Sequence, residues 1–127
     1  MSNSKFYDLE AEKAVLASML IVMDDLVIGM SVIPGPEVFY DEKNQAIFRS
    51  IKRQYDADRP IDIISTSHDL KTHNDLEKIG GNKALSAIMS TAGCLGHVEI
   101  HGRIIIEHFI RRSTINMARQ LLIKAGE

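Results

Sequence analysis

The sequence predicts an all-α protein: a small orthogonal helical bundle forming a head, followed by one long helix. Three observations carry this. Within Val38 to Asp62 the apolar residues Ile47, Phe48, Ile51 and Tyr55 stand at offsets of one, four and eight. That spacing places them on one face of a 3.6-residue helix, with Lys43, Arg49, Lys52 and Arg53 mostly on the other. The only run resembling a strand, Ile61 to Ile64, is too short to be useful and has no second run to pair with. Finally, Gly96 to about Ala125 contains no proline and, after its start, one early glycine, Gly102.

A chain of 127 residues is one domain by length and can bury roughly two-thirds of its unfolded surface. Its 45% hydrophobic and 25% charged residues are ordinary for a globular protein. Fifteen basic against seventeen acidic side chains leave a formal charge of -2, too small for a general drive toward nucleic acid or an anionic membrane. The one cysteine, Cys94, excludes an intramolecular disulfide framework and suits a reducing cytosol. No segment has signal-peptide architecture or the length to span a bilayer. A cytoplasmic protein is expected.

Residues 1–8 carry no pattern and are expected to form a disordered arm. Asp8 caps a helix from Leu9 to about Met23. Leu9, Leu16 and Met23 repeat every seven, and Val15, Met19 and Leu20 widen the stripe until the helix is apolar almost all round. Such a helix belongs at the centre of the core. Asp24 and Asp25 end it and cap a short helix through Leu26, Val27, Met30 and Val32, which Pro34-Gly35-Pro36 stops. Asp41 caps the central helix, with Phe39 and Tyr40 packing back onto its first turns. Pro60 ends that helix, because proline disfavours the helical basin for the residue before it. Asp62 or Ser65 caps a short helix to about Lys71, and His73-Asn74-Asp75 is a loop. Gly80-Gly81 is a turn, with Asn82 capping a helix through Leu85, Ile88 and Met89 that Gly93 ends. Residues 9–93 thus form the head and 94–127 the long helix. Its apolar positions include Val98, Ile104, Ile105, Phe109, Ile115, Leu121 and Leu122. At about 45 Å it is longer than a head of this size can cover. It should project, and its stripe then needs a partner.

No catalytic, cofactor or metal site is expected. Gly80-Gly81-Asn82-Lys83 lacks the GxxxxGK[ST] spacing that lets amides and a lysine surround phosphates, so it reads as a plain turn. Cys94, His97 and His101 form C-x2-H-x3-H, and thiolate and imidazole suit zinc. A structural site needs a fourth ligand, however, and Glu99 lies on the wrong helix face. The histidines read as exposed residues at a helix start, and His68 and His108 add no ligand spacing. Glu10, Glu12 and Glu37 read as solvated helix faces. Arg103, Arg111, Arg112, Arg119 and Lys124 make the last helix mildly basic, without the strongly basic second helix of a helix-turn-helix pair. An independent helical DNA-binding domain is the alternative reading, for which tight salt-dependent duplex binding is the discriminator. Stoichiometric zinc would instead indicate a small metalloenzyme.

Taken in order, AEKAVLASML, VFYDEKNQAIFRSI, RPIDIIS, LEKIGG and IIIEHFIRRSTI resemble the N-terminal domain of DnaB-type replicative DNA helicases. The signature rests on core and turn residues: Leu16, Phe39, Tyr40, Ile47, Phe48, Pro60, Asp62, Gly80 and Gly81. It runs from about Leu9 to Ala125. Asn44 departs from a common histidine, Leu85 from an aromatic-leucine pair, and His101 falls near a common tyrosine. The resemblance implies a helical head followed by a helical hairpin, with hairpins of neighbouring subunits packed into a collar above a hexameric motor ring. The implied partners are a second copy (a homodimer, and a hexamer in the full-length protein) and the C-terminal domain of primase. Docking of a helicase loader is left open, and DNA is engaged only through the full-length protein. ATP, magnesium and strand separation belong to a motor domain absent from these residues, so this chain is not expected to be an enzyme. It ends about where the first hairpin arm would, which suggests a fragment or a short relative. Ile104, Ile105, Phe109 and Ile115 are the expected intersubunit contacts, each contributing about 1.5–3 kcal/mol on burial. Phe109→Glu is then expected to lower the dimer fraction and leave helical content intact.

Overall fold

The computed structural model describes residues 6–91 and 95–127. These form α1 (Leu9–Ile21), α2 (Met23–Val32), a 3-10 turn (Pro36–Val38), α3 (Glu42–Asp56), α4 (Ile63–Thr72), α5 (Leu76–Ile79), α6 (Gly81–Met89) and α7 (Val98–Ala125), with no strand among the described residues. The all-α head with a long final helix is as the sequence predicts.

Asp8 caps α1, its carboxylate accepting from the Ala11 amide at 3.0 Å. Val15, Leu16 and Ala17 are wholly buried, and α1 packs on α2, α3, α6 and α7, as its all-round apolar surface requires. The helix stops at Ile21, earlier than expected, because Val22 is extended (φ -114°, ψ 118°). That break turns α2 back onto α1, where Leu26 is buried and a Cβ on Gly29 would lie 2.7 Å from the Met19 sulfur. Asp24 and Asp25 do not cap; they lie in the first turn of α2. Asp25 instead reaches across the fold, accepting from the Gly96 amide at 3.0 Å ahead of α7.

Asp41 caps α3 through the Lys43 amide at 2.8 Å. Ile47, Phe48 and Ile51 are buried, and the Phe48 ring lies 5.2 Å from that of Phe39. Tyr55, expected on this face, is exposed, and Gln54 is buried in its stead. Gln54 can be there because its Nε2 donates to Thr66 Oγ1 at 3.0 Å, which satisfies a polar group facing α4.

Both candidates for the start of α4 take part in a reciprocal box. The Ser65 amide donates to Asp62 Oδ1 at 2.7 Å, and the Asp62 amide donates to Ser65 Oγ at 2.9 Å. Further along, buried Asp69 accepts from Ser50 Oγ at 2.7 Å and from Arg53 Nη2 at 2.6 Å, with Arg59 at 3.6 Å. Burial pushes its carboxyl up, but hydrogen bonds from Arg53 and Ser50 and the charges of Arg53 and His73 outweigh this. The net result lies below the ordinary value of 3.8. A carboxyl depressed on folding stabilises above its unfolded value and loses that contribution as pH falls through the folded one. The stability gap between wild type and Asp69→Asn should be about 2 kcal/mol at neutral pH, from charge-assisted hydrogen bonds. In urea titrations this gap should shrink as pH drops below about 4. A gap constant from neutral pH to acid would refute the assignment.

Gly80 (φ 106°) closes α5 and Gly81 (φ 75°) opens α6, both in the left-handed region that favours glycine. A short helix precedes them, which fits a turn. Asn82 does not cap α6; it lies in the first turn, its side-chain oxygen accepting from the Ser67 hydroxyl. Leu85 and Ile88 are buried and Met89 half-buried. The expected stop at Gly93 lies outside the described residues. α7 begins at Val98 and spans 28 residues, about 42 Å.

Two expectations fail at the N-terminus. Residues 1–5 lie outside the described residues, but Phe6 to Asp8 are no loose arm. Tyr7 stacks on Tyr40 at 4.0 Å and 7°, and the Phe6 carbonyl accepts from Arg112 at 2.7 Å. Glu12, read as solvated, is 1% exposed. Its carboxylate accepts from the Tyr40 amide at 2.8 Å, Asn44 Nδ2 at 2.9 Å and the Asp41 amide at 3.4 Å. These donors precede or open α3, so a charge that would be costly alone is paired with orphan helix-start donors.

Candidate assembly surface

α7 changes character near Arg112. Before it, Val98, Gly102 and Ile105 are buried in the head, and Ile104, Ile106 and Phe109 pack against the core. Beyond it, residues from Asn116 to Ala125 are exposed. Met117 (65%), Leu121 (64%), Leu122 (73%) and Ile123 (59%) stand in solvent there, with Ile110 (55%) further back. Ile110, Met117 and Leu121 follow at steps of seven and four, the spacing of a helix-packing seam. Monomeric domains rarely expose such a stripe without a partner to cover it.

The four residues expected to meet a partner do not share this surface. Ile105 is 1% exposed and belongs to the head's own core, so it is no intersubunit contact. Phe109 is partly spent in the same way, packing on the core and lying 5.9 Å from the Arg112 guanidinium. Ile104 and Ile115 are half-buried and stand eleven residues apart, on one face. Ile110 and Met117, which stand on this exposed stripe, were not among the expected contacts. The seven-residue step from Ile110 to Met117 is the signal that marks them.

The signature residues prove architectural. Leu16, Phe39, Ile47 and Phe48 are core, Pro60 and Asp62 make the turn into α4, and Gly80 and Gly81 make the turn between α5 and α6. Tyr40 is exposed at one edge but stacked on Tyr7.

Charge on α7 is dispersed. Arg103 pairs with Glu99 at 3.1 Å. Arg112 turns inward, donating to the carbonyls of Phe6 and Val38 at 2.7 and 3.1 Å. Burial pulls the pKa of its guanidinium down, against the opposing charges of Glu12 and Tyr40. Arg111, Arg119 and Lys124 remain as scattered exposed cations, short of a basic face. His97 is exposed and meets the half-buried His101 edge-on at 6.1 Å. Cys94 lies outside the described residues, and among those described no three His, Cys, Asp or Glu side chains cluster as metal ligands. A notch of about 710 Å³ between α3 and α5 sets Lys43, Arg49 and Lys78 against Asp41, Glu42 and Asp75. Its charges cancel. No helix among the described residues is long and apolar enough to cross a membrane.

Fold and surface together define an all-α head-and-stem domain. The family model described as DnaB-like helicase N terminal domain matches residues 4–107. Over 104 residues the chain is 35% identical to the replicative DNA helicase DnaB of Rhodothermus marinus, covering 82% of this chain and 11% of that protein. To the replicative DNA helicase DnaB of Geobacillus stearothermophilus it is 31% identical over 113 residues, covering 89% of this chain and 25% of that protein. The crystal structure of the N-terminal domain of DnaB helicase from Mycobacterium tuberculosis shares the fold, with a TM-score of 0.89 at 24% identity. That match covers 94% of this chain and 82% of that one. The chain belongs to the family of DnaB-like helicase N-terminal domains. It spans 11% and 25% of the lengths of the two helicases above.

Proposed function

We propose that this domain is a collar unit of a cytoplasmic replicative DNA helicase, joining a second copy of itself through the outward face of α7 and binding primase. ATP hydrolysis, magnesium binding and strand separation would belong to a motor elsewhere in the full-length protein, which assembles as a hexamer. The observation that carries this reading is the apolar stretch of α7 past Arg112, where Met117, Leu121 and Leu122 are each more than half exposed. A helix of this kind gains by packing against a like helix.

Light scattering tests the association. A dimer population should grow with concentration into the range of about 100 μM, a modest free energy for a single helical arm. Phe109→Glu is a poor probe, because Phe109 also serves the head. Met117→Glu and Ile110→Glu alter exposed positions instead. Each should weaken self-association at least about tenfold, from the burial energy of one large apolar side chain. Circular dichroism should be unchanged. A wild type that stays monomeric throughout would overturn the association reading. Calorimetric titration with the C-terminal domain of primase tests the second part, and absence of binding would remove it.

A further inference from the structure

We infer that Tyr7, Tyr40 and Arg112 form a clasp through which the N-terminal strap fixes the direction in which α7 leaves the head. The clasp is a property of the single chain and does not rest on association.

Three segments distant in sequence meet where α7 parts from the head: the strap at Phe6 and Tyr7, the corner from Val38 to Tyr40, and α7 at Phe109 and Arg112. One guanidinium joins them. Arg112 donates from Nη1 to the Phe6 carbonyl at 2.7 Å and from Nη2 to the Val38 carbonyl at 3.1 Å, across sequence separations of 106 and 74. Its Cζ lies 5.3 Å from the centre of the Tyr40 ring, on which Tyr7 stacks at 4.0 Å. Tyr40 is itself held from behind, because its amide donates to Glu12 at 2.8 Å. Ser113 is half-buried and the helix from Asn116 onward is exposed. Arg112 therefore stands at the fulcrum of the projecting arm.

Without the strap, Arg112 loses one of its two carbonyl acceptors and Tyr40 loses its stacked ring. A partly desolvated cation does not stay in place when half its acceptors are removed. It turns toward water, and the anchorage of α7 falls back to Phe109 and Ile105, lengthening the free lever by about 5–10 Å. Lysine cannot replace arginine here, because an ammonium lacks the planar fork that reaches two carbonyls while covering a ring.

Electron-electron resonance distances between spin labels test this. The protein carries Cys94→Ser, a label at Lys83→Cys on the head and another at Arg119→Cys on the arm, and is diluted with unlabelled protein so that only intrachain distances count. With the strap intact the distance distribution should be narrow. Removing residues 1–7, or Tyr7→Ala, should widen it at least about twofold and speed amide exchange at residues 110–116 at least about tenfold. Tyr7→Phe should behave as wild type, and Arg112→Lys as the strap deletion. A control label pair within the head, at Lys83→Cys and Arg49→Cys, should not move, since the buried core begins only at Ala11. If the arm distance stays narrow after strap removal, there is no clasp. If the control pair widens equally, the strap supports the head as a whole and the inference also fails.

Discussion

Phe48→Ala should lower the unfolding free energy by about 3–5 kcal/mol, the cost of emptying a large buried aromatic site. Phe48 is 1% exposed and Phe39 is fully buried, with the two rings 5.2 Å apart and tilted by 39°. Alanine removes the transfer energy of the ring, leaves a void beside Phe39 and abolishes a ring contact of about 0.5–1.5 kcal/mol. Native domains of this size hold only about 5–15 kcal/mol in total. The melting temperature should fall by about 10–20 °C. Phe48→Leu, which keeps most of the volume, should cost much less. Urea titration and calorimetry measure both, and a loss under about 1.5 kcal/mol for the alanine variant would mean the site collapses to fill itself.

Glu12→Ala should come next, at about 3 kcal/mol, from losing charge-assisted hydrogen bonds and stranding buried donors. The carboxylate serves the Tyr40 and Asp41 amides and Asn44 Nδ2 together, and its charge also faces Arg112. Glu12→Gln retains an acceptor oxygen and should lose about half as much. A double-mutant cycle with Asn44→Ala isolates one link and should return about 1 kcal/mol of coupling. Strictly additive losses would show that the two side chains do not cooperate.

What could be read in the sequence were features with a local or periodic cause. Asp8, Asp41 and the Asp62/Ser65 pair cap their helices within three residues, so neighbouring letters suffice. Ile47, Phe48 and Ile51 follow helical spacing into the core. Glu12, Asp25 and Arg112 escaped for the opposite reason. Their partners lie 28, 71 and 106 residues away, and a carboxylate on an amphipathic pattern gives no sign that distant amides will surround it. Ile105 was misplaced because an apolar stripe shows which face is buried, not whether a neighbour in the same chain or another copy buries it. The exposed seam through Ile110, Met117 and Leu121 was present as a seven-residue step, but Ile104 to Ile106 form a continuous apolar run that blurs the phase.

The pairing of the first helix with the last bears on how the chain reaches this state. α1 packs more extensively on α7 than on any other element, and its flank with Val15, Leu16 and Ala17 is sealed only in the finished fold. A ribosome releases α1 first and must add the residues up to Arg112 before the cover arrives, a delay of about 5–20 s at ordinary translation rates. Because this pairing joins the two ends of the chain, closure should be slower than in bundles whose helices meet only their sequence neighbours. During that interval α1 can pack on α2 and then on α3 and α6, but the flank that α7 covers stays open. How long that flank stays open during synthesis is therefore set by where the last helix lies in the chain, not by the stability of the completed domain.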